Sequence, residues 1–241
     1  MPYRGIFFEK NQPFHIVSRA VEGIKIFKQE EECYRFIFLL QCANLGRRGF
    51  NIKGKDIIKS GEALLHGESI PQKFITIQHP PLVRFLDFAF VITHYHLFIV
   101  PNVENSVPIF VQKLNNSFAK YYNLKHKRKG ALFGDRYKSI LVKTELQLDA
   151  VSRYVSIINP LDVYQPDWRE KGLENWEEAF KFLEDYQFSS FPDKIGKRSS
   201  WILAPKEILE RYSVFYKNRE ECRKFVEEFL EQKSAPSFFL E

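Results

Sequence analysis

Two apolar runs, Val83–Val91 (VRFLDFAFV) and Tyr95–Val100 (YHLFIV), lie almost back to back in the chain. Both are dense in Phe, Val, Ile and Leu, the composition of buried strands, and Ile92–Thr93 leaves room for only a tight turn between them. Pro101 ends the second. This strand pair constrains the fold most, because any architecture must bury it. The 241-residue chain has the means: 44% of its residues are hydrophobic and 27% are charged, which excludes a disordered polymer.

The flanking sequence alternates strand and helix signals. Phe14–Ser18 alternates apolar with polar residues and predicts a strand ending beside Arg19. Glu30–Glu32 followed by Tyr34, Phe36, Ile37, Leu39 and Leu40 predicts a helix with acids at its start. In Val107–Tyr122, Ile109, Phe110, Leu114, Phe118 and Tyr121 fall on one helical face. Ser139–Val142 reads as a short strand and Leu146–Ile157 as a helix that Pro160 stops. Leu45–Leu82, rich in Gly and Lys and broken by Pro71 and Pro80–Pro81, reads as an inserted surface loop with solvent-facing His66 and His79. After Leu161 the composition turns acidic, with 16 acids against 13 bases from Val163 to Glu241. Helical patterns around Trp176–Tyr186 and Glu220–Glu231 suggest a C-terminal helical appendage, 163–241, on a main domain of 1–162.

Cys33, Cys42 and Cys222 form no C-x-x-C pair, so neither a disulfide framework nor a zinc site is expected. The start of the chain has no charged segment leading into an apolar one, and no apolar run reaches membrane-spanning length. The expected location is the cytoplasm, on the nucleoid.

The net charge of +6 is unevenly placed. Lys113–Lys143 holds nine Lys or Arg and one acid, or +8, so the rest of the chain carries −2. Phe118, Tyr121, Tyr122, Phe133 and Tyr137 lie among these cations, a mixture suited to phosphate contacts and base stacking along a nucleic-acid strand. On the second strand, the alternation of side chains places His94 and His96 on one face, where two imidazoles can lean toward one cation. With Tyr95, Leu97 and Ile99 buried against helices, the histidine face is expected to be the open side of the sheet.

The order of these features adds a resemblance. FHIVSRA resembles an opening strand of the form YHVTNRG, VRFLDFAFVITHYHLFIV resembles MPNHYHLLL, KLNNSFAKYYNLKHKRKGALFGDRYKSILV resembles G-x-x-F-x-x-R-Y-K, and SRYVSIINPL resembles YIHLNP. Together, across residues 13–162, they resemble the HUH tyrosine transposases, in particular the REP-associated tyrosine transposase branch related to the transposases of the smallest insertion sequences. The resemblance implies an α+β fold: a ferredoxin-like antiparallel sheet with helices on one face, a central strand carrying His-x-His, and a nearby helix carrying one tyrosine nucleophile. It implies a metal-dependent single-stranded DNA endonuclease and strand transferase that acts near hairpins through a 5′-phosphotyrosine.

By matching positions, Tyr154 is the nucleophile and His94 and His96 are ligands of Mg2+ or Mn2+. A divalent cation polarises the scissile phosphate, while a tyrosine adduct stores the energy of the broken bond, so no nucleotide cofactor is needed. Where the family places an amide four residues after its tyrosine, this chain has Ile158, and Asn159 comes five after. On a regular helix that is about 140° off. Asn159 is nevertheless the preferred third ligand, ahead of Gln147, with Pro160 loosening the last turn. Val91-Ile92-Thr93 also replaces the family's M-P-N before the histidines.

Arg19, Lys113, Asn116, Lys120, Tyr122, Arg136, Tyr137 and Lys138 are the candidate DNA contacts, and Tyr137 is the competing nucleophile. His15 is read as a structural hydrogen-bonding residue on the same strand face. The expected partner is single-stranded or hairpin DNA, met by a monomer or homodimer, with no membrane. The alternative function is a domesticated, non-cleaving hairpin DNA or RNA binder on the same fold.

Overall fold

A computed structural model describes residues 6–46, 55–74, 80–134 and 136–231. The predicted strands and helices form: β1 (Phe14–Arg19), α1 (Glu30–Asn44), β2 (Val83–Val91), β3 (His94–Pro101), α3 (Ser106–Lys125) and β4 (Lys138–Leu141), with α2 (Lys55–His66) between α1 and β2. The strands make one antiparallel sheet in the order β2-β3-β1-β4. The fold class is α+β, as expected. A capping box between Gln29 and Glu32, with three acids in the first turn, starts α1.

Each face of the sheet has its own core. Phe14, Ile16, Phe88, Phe90, Tyr95, Leu97 and Ile99 face α1 and α3, where they meet Phe36, Phe110 and Phe118. Leu86, Ala89, Phe98 and Val100 face the opposite way, toward Tyr154, Val155 and Ile158 and the C-terminal helices. A bulge between Phe85 and Asp87 turns both Leu86 and Asp87 toward this second side.

The expected surface loop at Leu45–Leu82 is corrected in its described part. Residues 55–66 form a helix that buries Ile57, Leu64 and Leu65 against α1. Gly61, one of the residues that reads as a loop marker, is what allows the approach: a Cβ there would sit 1.9 Å from the Tyr34 carbonyl oxygen. His66 is exposed, as expected, whereas His79 lies outside the described residues.

A second correction concerns Pro160. The helix that begins as α4 (Glu145–Arg153) passes through a π turn, Tyr154–Ile158, and continues as α5 (Asn159–Tyr164), with Pro160 in the first turn of α5. Proline has no N–H and its ring crowds the preceding turn. A turn closed five residues back accommodates it without ending the helix.

The chain then forms α6 (Trp168–Lys171), α7 (Trp176–Asp185), α8 (Phe191–Lys194), α9 (Lys206–Tyr212) and α10 (Arg219–Glu231), which include both helices expected after Leu161. Phe188–Ser190 runs along the β2 edge: Phe90 N donates to Phe188 O over 2.9 Å and Ser190 N to Phe88 O over 2.9 Å. This covers backbone that an edge strand otherwise leaves open to another chain. Below it, the buried Asp87 carboxylate accepts from Ser152 (2.8 Å), Ser190 (2.9 Å) and Ser213 (2.7 Å) and pairs with the buried Lys194 ammonium at 3.2 Å. Asp87 thus ties the sheet to α4, to α8 and to the segment after α9. Among the described residues no helix is long and apolar enough to cross a membrane.

Candidate active site

Residues paired across an antiparallel sheet share a face, and β1 pairs with β3 as Arg19↔His94, Val17↔His96 and His15↔Phe98. His15, Arg19, His94 and His96 therefore stand on one side of the sheet, opposite Tyr95 and Leu97. His15 Nε2 lies 3.0 Å from His96 Nδ1, which is the structural role expected of His15, and the rings of His94 and His96 are 4.9 Å apart. Thr93 Oγ1, in the turn that replaces the M-P-N pattern, lies 3.0 Å from His94 Nδ1.

This face is not open. His94 and His96 are only 8% and 1% exposed, because the helix of α4, the π turn and α5 lies across them. The segment after β4 packs on the sheet, against β2 and β3, and so covers the face expected to be open.

Thr144 caps α4 and forms a capping box with Gln147, whose Oε1 accepts from Lys143 N over 2.8 Å. Gln147 is thus engaged at the start of the helix and is not a ligand candidate. About two turns further, the helix presents Tyr154, the first residue of the π turn, with its ring centroid 5.9 Å from both His15 and His96. The Tyr154 carbonyl accepts from the backbone N–H of Asn159 and, over 3.0 Å, from its side-chain Nδ2. A π turn holds one residue more than an α turn, so the fifth residue after the tyrosine takes the angular place that the fourth has in an α-helix.

Tyr154 is itself 1% exposed. Phe229 of α10 packs on its ring at 6.1 Å, and the Arg169 guanidinium stands 5.9 Å from the ring centroid and hydrogen-bonds the tyrosine side chain. Burial, with the charges of Arg19 and Arg169 adding to it, pushes the His94 pKa down to about 3. Burial also holds His96 well below the ordinary histidine value, helped by His94, His15 and the two arginines. Both imidazoles are neutral at neutral pH, with a lone pair on one nitrogen of each.

Residues 67–157, which contain the histidine strand and the tyrosine, match the family model described as "Transposase IS200 like". The match is to this stretch of the chain, 91 of its 241 residues. Among solved structures, one described as "Structure of the REP associates tyrosine transposase bound to a REP hairpin" aligns with 90% of this chain and 99% of its own, at 8% identity and a TM-score of 0.46. No curated protein matches the chain by sequence.

The matched stretch offers a donor set that fits a divalent metal. Nδ1 of each histidine is held, by Thr93 and by His15, which is the arrangement that orients Nε2 toward a metal. His96 Nε2 is buried without a hydrogen-bond partner, a costly state unless something is bound there. Among the described residues no group of three or more His, Cys, Asp and Glu converges. The Asn159 side chain, whose Nδ2 is engaged by the Tyr154 carbonyl, keeps its amide oxygen as an oxygen donor near the tyrosine. Imidazole and oxygen donors together suit manganese or magnesium.

The candidate DNA contacts separate into two groups. Arg19 is exposed at the end of β1, and Lys138, exposed and paired with Val17, shares the histidine face. The loop that carries the exposed Arg136 is tied to Arg19 by Gly134 N, which donates to Arg19 O over 3.2 Å. Tyr137 is half-buried and packs against the first core. Lys113, Asn116 and Lys120 are exposed on α3, behind the sheet. Tyr122 is buried, its ring 4.1 Å from His126 and 6.0 Å from Phe118, and Phe133 is buried against Tyr95 and Phe118. These two rings are core residues and present no face to a base. Helix spacing already marked Phe118 and Tyr121 as apolar-face residues, and the same signal extends to Tyr122.

Arg169, Asp162 and Phe229 complete the site without any local sequence signal. Nothing in the sequence marks them: Asp162 lies on the tyrosine's own helix but beyond Pro160, where a helix is expected to stop, and Arg169 and Phe229 reach the site only through the way α6 and α10 fold back.

Proposed function

We propose that the chain is a metal-dependent single-stranded DNA endonuclease and strand transferase, with Tyr154 as nucleophile and His94, His96 and Asn159 as metal ligands. The observation that carries this reading is the convergence of Tyr154 on His96 from a separate element, with ring centroids 5.9 Å apart and an unpartnered Nε2 on the histidine. A divalent cation, when bound, supplies charge neutralisation on the scissile phosphate. Tyr154 Oη attacks phosphorus and the bond to the 3′-oxygen breaks, leaving a 5′-phosphotyrosine. The phenol gives up one proton and the departing 3′-oxygen takes one, so the step is neutral in protons and reverses when a 3′-hydroxyl attacks the adduct. Arg19, Arg136 and Lys138 hold the strand near the histidine face, with Lys113, Asn116 and Lys120 as a more distant basic surface.

The single-stranded or hairpin character of the substrate rests on the family resemblance. Incubation with manganese and a pool of labelled single-stranded hairpin oligonucleotides, followed by a denaturing gel, tests the proposal: a covalent protein–DNA band supports it, and cleavage without one assigns the chemistry to water. The burial of Tyr154 beneath Phe229 favours the second reading, a non-cleaving hairpin binder, which predicts binding with neither band nor cleavage. Under the first reading Phe229 has to move from the tyrosine before a phosphate can reach it.

A further inference from the structure

Arg169 lies outside the residues that match the transposase family, yet it reaches the tyrosine on which the proposed chemistry depends. Its guanidinium is gripped by Asp162 in a fork: Nε donates to Oδ1 and Nη2 to Oδ2, each over 2.8 Å. Asp162 is fixed in turn by Trp168, whose indole N–H donates to Oδ1 over 2.8 Å and whose buried ring stacks on Phe229 at 5.9 Å. Asp162 sits on α5, eight residues beyond Tyr154 on the same continuous helix. The helix that carries the tyrosine therefore also carries the anchor for the arginine that grips it.

We propose that Arg169 is a positioning residue for strand cleavage, fixing the Tyr154 hydroxyl through its hydrogen bond while Asp162 fixes the guanidinium. The inference rests on the reading of Tyr154 as nucleophile. The chemistry suits the role. Guanidinium is a planar fork with five donors, of which Asp162 takes two, so the same group can clamp a carboxylate on one edge and orient a phenol on another. Burial works against the charge on Arg169, but hydrogen bonding and charge from Asp162 outweigh it, with a smaller share from Tyr154, and the group stays cationic. A fixed cation beside an incoming phosphodiester costs no reorganisation when charge develops on it. Lysine, a single point charge, cannot make both contacts with this geometry.

The experiment compares wild-type protein with Arg169→Lys, Arg169→Met and Tyr154→Phe, using a labelled single-stranded hairpin oligonucleotide that wild type captures in manganese. Strand affinity, single-turnover adduct rate and thermal midpoint are measured for each. The expected result for Arg169→Met is an adduct rate about 100-fold lower, the scale of losing one oriented group, with affinity changed by about threefold or less. Arg169→Lys retains the charge and should fall between the two, with a thermal midpoint near wild type, which separates positioning from folding. Equal adduct rates for wild type, Arg169→Lys and Arg169→Met overturn the proposal, as does a loss in which rate and affinity fall in step. If Tyr154→Phe still forms the adduct, or wild type forms none, the nucleophile assignment fails first; if Tyr154→Phe abolishes it while Arg169→Met does not slow it, only the role of Arg169 fails.

Discussion

The side-chain amide of Asn159 donates to the backbone carbonyl of Tyr154 over 3.0 Å, across the π turn. The bond links the proposed nucleophile to the proposed third metal ligand and leaves the amide oxygen as the atom available to a cation. Pro160, which follows Asn159 directly, sits in the first turn of α5, just past this wider turn.

Asn159→Ala removes both the hydrogen bond and the ligand. Manganese affinity, followed by calorimetric titration, is expected to fall by about 10- to 100-fold, and folding stability by about 1 kcal/mol. Unchanged affinity would assign Asn159 to structure alone.

The buried histidines make metal-free stability depend on pH in a defined direction. His94 is held down to about 3 and His96 is also lowered, so between pH 3 and the ordinary value of 6.5 the unfolded chain binds more protons than the folded one. Stability then rises with pH through this window, is complete above it, and is lost as pH falls from 6.5 toward 3. Each histidine contributes a slope of up to about 1.4 kcal/mol per pH unit. Urea midpoints in EDTA at pH 5 and pH 7.5 are expected to differ more for wild type than for His94→Phe, and equal differences contradict the assignment.

Gly61→Ala is expected to destabilise the protein by about 1–3 kcal/mol, since the added methyl meets the Tyr34 carbonyl and forces α2 from α1. Thermal unfolding measures it. A neutral result would mean that α2 is not seated on α1.

The salt dependence of DNA binding separates the two basic groups. Arg19→Ala and Lys138→Ala, beside the histidines, are each expected to make the log–log salt slope shallower by about 0.7 for one lost phosphate contact on a single strand. Lys113→Ala, behind the sheet, is expected to change it less. The reverse order would place the strand on α3.

The sheet and its principal helices were legible because their apolar spacing is regular, and the His-x-His strand declared its own geometry. α2 was not, because the Gly and Lys content around Ile57, Leu64 and Leu65 reads as loop, although Gly61 serves close helix contact. The continuation through Pro160 was not, since proline after Asn159 signals an end unless a π turn absorbs it. Arg169 and Phe229 were invisible for another reason: their place beside Tyr154 depends on long-range folding of α6 and α10, which leaves no local pattern.

The central claim is that Tyr154 becomes covalently attached to DNA. Digesting the protein after reaction with a hairpin oligonucleotide in manganese and mapping the nucleotide-bearing peptide by tandem mass spectrometry tests it most directly. A phosphonucleotide on Tyr154, absent in Tyr154→Phe and unchanged in Tyr137→Phe, is the predicted result. A modification on Tyr137, or strand scission with no modified peptide, would contradict it.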